Sequence, residues 1–312
     1  MAENAVLPED AALILPGFDG ANPLGFLAAL GSFRVLTIKS EHPPKMAWRP
    51  DRGIWKPCIL SACNNIDDLA ERLVSALDAT APEPWSLHQR LPFEANLLRE
   101  AAISAVNCDS VMNRENVDAI AAFGVEAIRN EEGEFEDTSL RMIRSGDAAG
   151  NGLLAYGKRI REMTTKDDIR RAIGHRWLSK DESCAMRWDP SENRGYALQW
   201  TNPSKESAVS ERGANRLALE AMPLLPTLPC KRGVETTAFG LPDGETEAFT
   251  WPIWNTYINL DVVRTMLSLS SLQDESPSRI ELRELGIGAA YRAKRIMTST
   301  YYRNFSPALR VA

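Results

Sequence analysis

The chain has 312 residues, 44% of them hydrophobic and 25% charged, with a formal net charge of −6. That length supports one large domain or two modest ones, and those proportions exclude wholesale disorder. The acidic mean excludes a uniformly basic nucleic-acid binder, so any contact with a polyanion has to come from positive charge gathered locally.

The five cysteines, Cys58, Cys63, Cys108, Cys184 and Cys230, form no CxxC pair, and no histidine stands near enough to complete a zinc pattern. An odd number of scattered thiols implies a reduced, cytoplasmic protein. The apolar stretch at 24–36 is too short for a membrane span and is interrupted by Arg34. The first residues lack the basic start of a signal peptide. No membrane partner is expected.

In chain order, residues 13–15 predict a short strand. Asn22 and Pro23 then predict a helix start, with Asn as the cap and Pro in the first turn. Apolar residues on either side of Arg49-Pro-Asp-Arg-Gly53 predict a hairpin. Asn65 caps a helix with Ile66, Leu69, Leu73 and Leu77 on one face. Further helices are expected over 94–106, 116–128, 153–163 and 166–173. The acidic run at 131–137 reads as a solvated loop. Past Trp188 the character changes: strands are expected over 184–188, 196–200, 234–239, 249–254, 279–285 and 289–297, with one helix over 213–222 ended by Pro223. The pattern implies an α+β fold, with a helix-rich half at 1–180 and a strand-rich, largely antiparallel half at 181–312. A single intertwined domain fits the pattern equally.

The search for catalytic signatures returns little. His42, His88 and His175 stand in no metal-binding run, and there is no GxSxG elbow. Gly152-Leu-Leu-Ala-Tyr-Gly157-Lys158 matches the first seven places of a phosphate-binding loop, but Arg159 occupies the eighth, where Ser or Thr would hold Mg²⁺. No apolar strand leads into Gly152, so the stretch reads better as a helix with a basic end. No cofactor and no metal is implied, and a nucleotide hydrolase using residues 152–158 remains only the enzymatic alternative.

Positive charge gathers in two places. Residues 158–176 hold seven Lys/Arg (Lys158, Arg159, Arg161, Lys166, Arg170, Arg171, Arg176) against Glu162, Asp167 and Asp168, giving 7 − 3 = +4. Residues 279–312 hold seven (Arg279, Arg283, Arg292, Lys294, Arg295, Arg303, Arg310) against Glu281 and Glu284, giving 7 − 2 = +5. Cations can neutralise phosphates, and the interleaved Tyr291, Tyr301, Tyr302 and Phe305 could stack on bases. Strand alternation would set Arg292 and Lys294 in a cationic strip. The candidate nucleic-acid contacts are Lys158, Arg159, Arg161, Arg170, Arg171, Arg212, Asn215, Arg216, Arg292, Lys294, Arg295 and Arg303. The other reading of these residues is a solvated surface paired with acidic loops. Most of the tryptophans read as core anchors, although Trp251-Pro-Ile-Trp254 could form a docking edge for a protein scaffold.

Four stretches carry a family resemblance. Leu15-Pro-Gly-Phe-Asp-Gly-Ala-Asn-Pro-Leu-Gly-Phe-Leu-Ala-Ala-Leu-Gly31 resembles the opening of large-subunit and helicase-nuclease accessory proteins of type I-U (also called I-G) CRISPR systems. Arg187-Trp-Asp-Pro190 with Tyr196-Ala-Leu198, Arg212-Gly-Ala-Asn-Arg-Leu-Ala218, and Tyr291-Arg-Ala-Lys-Arg-Ile296 followed by Asn304-Phe-Ser-Pro307 look like the same group. The resemblance implies a non-catalytic subunit of an RNA-guided surveillance complex. Its expected partners are target DNA or guide RNA and the other effector subunits.

Overall fold

A computed structural model of the chain describes residues 11–107, 112–143, 150–192, 209–231, 233–298 and 302–312. These residues form a mixed α+β structure in which every paired strand is antiparallel.

Strand β1 (Leu13–Ile14) leads through a turn into helix α1 (Pro23–Ile38). The Asn22 side chain accepts from the Gly25 N–H, and Pro23 occupies the first turn, as the sequence predicts. Fourteen of the sixteen α1 residues are buried, so this helix is the axle of the molecule rather than an amphipathic surface element. Strands β2 (Lys45–Asp51) and β3 (Ile54–Leu60) make the expected hairpin, and β1 completes a sheet of order β1-β3-β2. Its tight turn places Arg52 and Gly53 at φ of 50° and 84°, the left-handed pair that a two-residue hairpin requires.

Helix α2 (Ile66–Asp78) is capped by Asn65. Helices α3 (Ala95–Asn107) and α4 (Met112–Ala121) follow. The helix expected to reach residue 128 stops earlier. Gly124 opens strand β4 (Gly124–Arg129), which pairs with β5 (Phe135–Asp137). A side chain at Gly124 would meet the Glu136 carbonyl oxygen at 2.4 Å, so glycine permits the close approach. The acidic run is therefore a hairpin, with Phe135 and Glu134 buried rather than solvated.

Helices α5 (Leu153–Met163) and α6 (Lys166–Gly174) lie as predicted, α6 with a reciprocal capping box between Thr165 and Asp168. Residues 184–188 form no strand, because Cys184 and Arg187 both sit at positive φ. The strand expected over 196–200 lies outside the described residues. Helix α7 (Arg212–Leu219) packs along α1. There Gly31 allows contact: a Cβ on it would stand 1.7 Å from the Leu217 carbonyl oxygen.

Strands β6 (Thr227–Cys230) and β7 (Gly233–Thr236) form a hairpin. Strands β8 (Phe239–Gly240) and β9 (Ala248–Trp254) enter the main sheet, and helix α8 (Leu260–Leu267) follows. Residues 279–284 form helix α9 (Arg279–Glu284), not the predicted strand. Ser278 caps it, and only Leu282 is buried. Strand β10 (Ile287–Met297) is central, with order β11-β10-β9-β8. Here β11 is Arg303–Phe305, and β12 (Leu309–Arg310) also pairs with β10.

One buried apolar cluster runs from Leu15 to Ala312, so no gap in the core marks residue 180. Among the described residues no helix is long and apolar enough to cross a membrane.

Candidate nucleic-acid interface

The mid-chain cations are mostly turned inward or paired. On α6, Arg170 binds Asp67 on α2, and Lys166 lies 2.6 Å from Glu71. Arg171 reaches Glu211 at 2.8 Å and both Asp168 and Asp181 at 3.2 Å. Arg212 reaches Asp168 at 3.2 Å and Asp181 at 3.4 Å. Two guanidiniums therefore share three carboxylates, for a local balance of 2 − 3 = −1. The Asp168 carboxyl is pushed up by burial, but Arg212 and Thr165 outweigh that and hold it below its ordinary range.

A second cluster is largely buried. Glu220 binds Arg216 at 2.6 Å, Arg161 at 3.0 Å and Arg34 at 3.2 Å, with the Thr80 hydroxyl donating to it at 3.2 Å. Arg161 also donates to the Thr80 carbonyl oxygen, and Arg216 to that of Leu77. Burial alone would raise the Glu220 carboxyl, and the three arginines hold it below the usual carboxylate range. Asn215 is fully buried and donates to the Glu211 carbonyl oxygen. Arg161, Asn215 and Arg216 thus brace α5, α7 and the end of α2, with the two charges committed to Glu220.

Lys158 is exposed on α5 and has no ion pair among the described residues. Arg159 stacks on the Tyr156 ring at 4.9 Å and donates to Asn151 and to the Gly150 carbonyl oxygen. Residues 153–158 are the first turns of α5, not a phosphate loop. Gly157 lies inside α5, where a Cβ would meet the Trp85 ring at 2.3 Å, so residues 152–158 form no loop to cradle a phosphate.

The predicted cationic strip on β10 does not form. Arg292 is buried and donates to the Thr250 hydroxyl and to the carbonyl oxygens of Leu272, Asp274 and Glu275. Lys294 pairs with Asp243 at 2.9 Å. Arg295 pairs with Glu247 at 2.8 Å and donates to the Arg141 carbonyl oxygen. Arg303 is half-buried on β11, its backbone N–H bonded to Met142. The alternative docking edge is also absent, since Trp251 and Trp254 are fully buried, with indole N–H groups bonded to Gly20 and Met46.

Three arginines counted in the basic segment 279–312 were not among the candidate contacts. Arg279 and Arg283 on α9 and Arg310 on β12 line a groove of about 220 Å³ whose lining contains no Asp or Glu side chain, although Arg310 already donates to the main-chain oxygen of Ala312, the last residue of the sequence. The basic composition of 279–312 was the available signal. The strand reading of 279–285 hid the helical i, i+4 spacing that sets Arg279 beside Arg283.

The four stretches that carry the resemblance interlock. Asn22 donates to the Asp189 carboxylate at 3.1 Å, and Asn304 donates to the Asp189 carbonyl oxygen. Gly31 seats α1 against Leu217, and Arg295 on β10 stands opposite Phe305 on β11. Tyr196, Ala197 and Leu198 lie outside the described residues. Close by, Glu192 is buried, and burial first, then Asp189, pushes its carboxyl up to about 8. Among the described residues, no three His, Cys, Asp or Glu side chains gather as metal ligands. The chain matches no protein-family model and no curated protein sequence.

Proposed function

We propose that this chain is a non-catalytic subunit of a CRISPR-type RNA-guided surveillance complex that contacts target DNA or guide-bound nucleic acid and docks on other effector subunits. The supporting observation is the interlocking of the resemblance stretches. Asn22 and Asn304 reach Asp189 from two distant parts of the chain, one donating to its carboxylate and the other to its carbonyl oxygen. Such residues specify a scaffold. A catalytic set would turn its polar groups toward an open cleft.

The test is co-expression of the tagged chain with the effector subunits, the helicase-nuclease and a guide RNA. Stoichiometric co-purification that depends on the guide supports the reading, and isolation of the chain alone removes it. The second reading is a protein-docking scaffold without nucleic-acid contact. It is favoured by the pairing of Arg161, Arg170, Arg171, Arg212, Arg216, Lys294 and Arg295 to carboxylates of the same chain. It predicts co-purification that survives nuclease treatment.

A further inference from the structure

We infer that the groove between α9 and the β10–β12 edge binds a phosphate group of a nucleic-acid strand through Arg279, Arg283 and Arg310. This deepens the nucleic-acid arm of the proposed function by giving it a location, and it rests on that arm.

The charge balance singles this place out. Arg279 and Arg283 are exposed, and among the described residues neither has an ion pair. Like charges four apart on a helix repel, and a bound anion would relieve that. Arg310 is held differently. Its Nε donates to the Ala312 carbonyl oxygen at 2.7 Å and its Nη2 to that of Gly288 at 3.3 Å. One guanidinium is thus fixed by the sheet edge, and two swing on a short helix beside it. Guanidinium forks match the paired oxygens of phosphate, which makes this an anion site with one anchored wall.

The floor decides between a phosphate and an acidic peptide. Leu282, Ile287 and Ala289 are each at most 2% exposed, and of the apolar lining only Ile280 is open to solvent. A docked amphipathic peptide needs apolar pockets for its anchoring side chains, and this floor offers almost no area for them. A compact, strongly charged group needs only the arginines.

The experiment measures fluorescence anisotropy of short single-stranded RNA and DNA, each with a 5′-phosphate or a 5′-hydroxyl, against the full chain. The Arg279→Ala/Arg283→Ala double variant is expected to bind about tenfold more weakly, with a log–log salt slope shallower by about 0.7 per lost contact. A loss confined to the 5′-phosphorylated strands supports a terminal phosphate at the site, and an equal loss on all strands supports the backbone. Arg72→Ala, which removes an exposed arginine already paired with Asp68, is expected to leave binding unchanged.

Three results overturn the inference: wild-type chain that binds none of the strands, a double variant with unchanged affinity, or Arg72→Ala as damaging as the double variant. Tighter, variant-sensitive binding of a poly-glutamate peptide than of any strand also overturns it, in favour of an acidic protein segment. Co-purification separates this site from the wider proposal. Wild-type chain that binds strands through the groove yet joins no effector complex removes the complex role and leaves the groove standing.

Discussion

The arginines around Glu220 and those around the α9 groove are equally basic as sequence, and the fold treats them in opposite ways. Arg34 and Arg216 are buried and Arg161 is half-buried; all three share one carboxylate, and Arg161 and Arg216 spend further donors on backbone carbonyls and Thr80. Arg279 and Arg283 are exposed, with no Asp or Glu side chain in the lining of their groove. Clustered positive charge therefore does not by itself mean a cationic surface. What matters is whether carboxylates from remote parts of the chain return to meet it.

The comparison is open to attack at several points. The largest effect is expected at Glu220→Gln, which leaves three guanidiniums, two of them buried, without their anion. A loss of roughly 3–5 kcal/mol in denaturant unfolding is expected, and a loss under 1 kcal/mol would mean the cluster is wetter than its burial suggests. Because the folded Glu220 carboxyl sits below its ordinary 4.5, its stabilisation is present above that pH and fades as acid protonates it.

Glu192 has the opposite sign. Its carboxyl is raised from 4.5 to about 8, so its contribution is full below 4.5 and is lost as pH rises toward 8. Glu192→Gln should match the wild type in acid and exceed it by on the order of a few kcal/mol above pH 8. Thermal melts at pH 5 and pH 9 check this, and parallel curves would place Glu192 in water. Third, Gly31→Ala forces α1 away from Leu217 and shifts Arg34 relative to Glu220, for an expected loss of about 1–3 kcal/mol in urea unfolding. The smallest effect belongs to the groove. The Arg279→Ala/Arg283→Ala variant should unfold within a few tenths of a kcal/mol of the wild type, or slightly above it, since it only removes a repulsion.

Much of the fold was legible from local chemistry. Asn22 and Asn65 announced their helices because a cap is a short-range device, and the hairpin at 45–60 followed from its turn residues. The errors have physical causes. Residues 124–129 carry helix formers, but the Gly124 contact with Glu136 and pairing to β5 override that preference. At 279–285 the alternation of charged and apolar residues imitates a strand, yet the Ser278 cap and a single buried position make it a helix turn. Helix α8, with Leu260, Val263, Met266 and Leu267 buried, was not anticipated at all. The site was the least legible part. Whether Arg171, Arg216 or Arg292 meets solvent depends on Glu211, Glu220 and the backbone at 272–275, and no local pattern encodes those partners.

The burial of α1 has a consequence for how the chain is made. Its partners Leu217, Phe249 and Trp251 come late in the sequence, and α7 begins 212 − 38 = 174 residues after α1 ends. At about 5–20 residues per second, a ribosome needs roughly 10–35 s to supply that cover. Throughout that interval the emerging polypeptide carries an almost wholly apolar helix that only Trp48 and α2 can cover in part. Holdase chaperones would find their target there, and a ribosome stalled before α7 would release an aggregation-prone product.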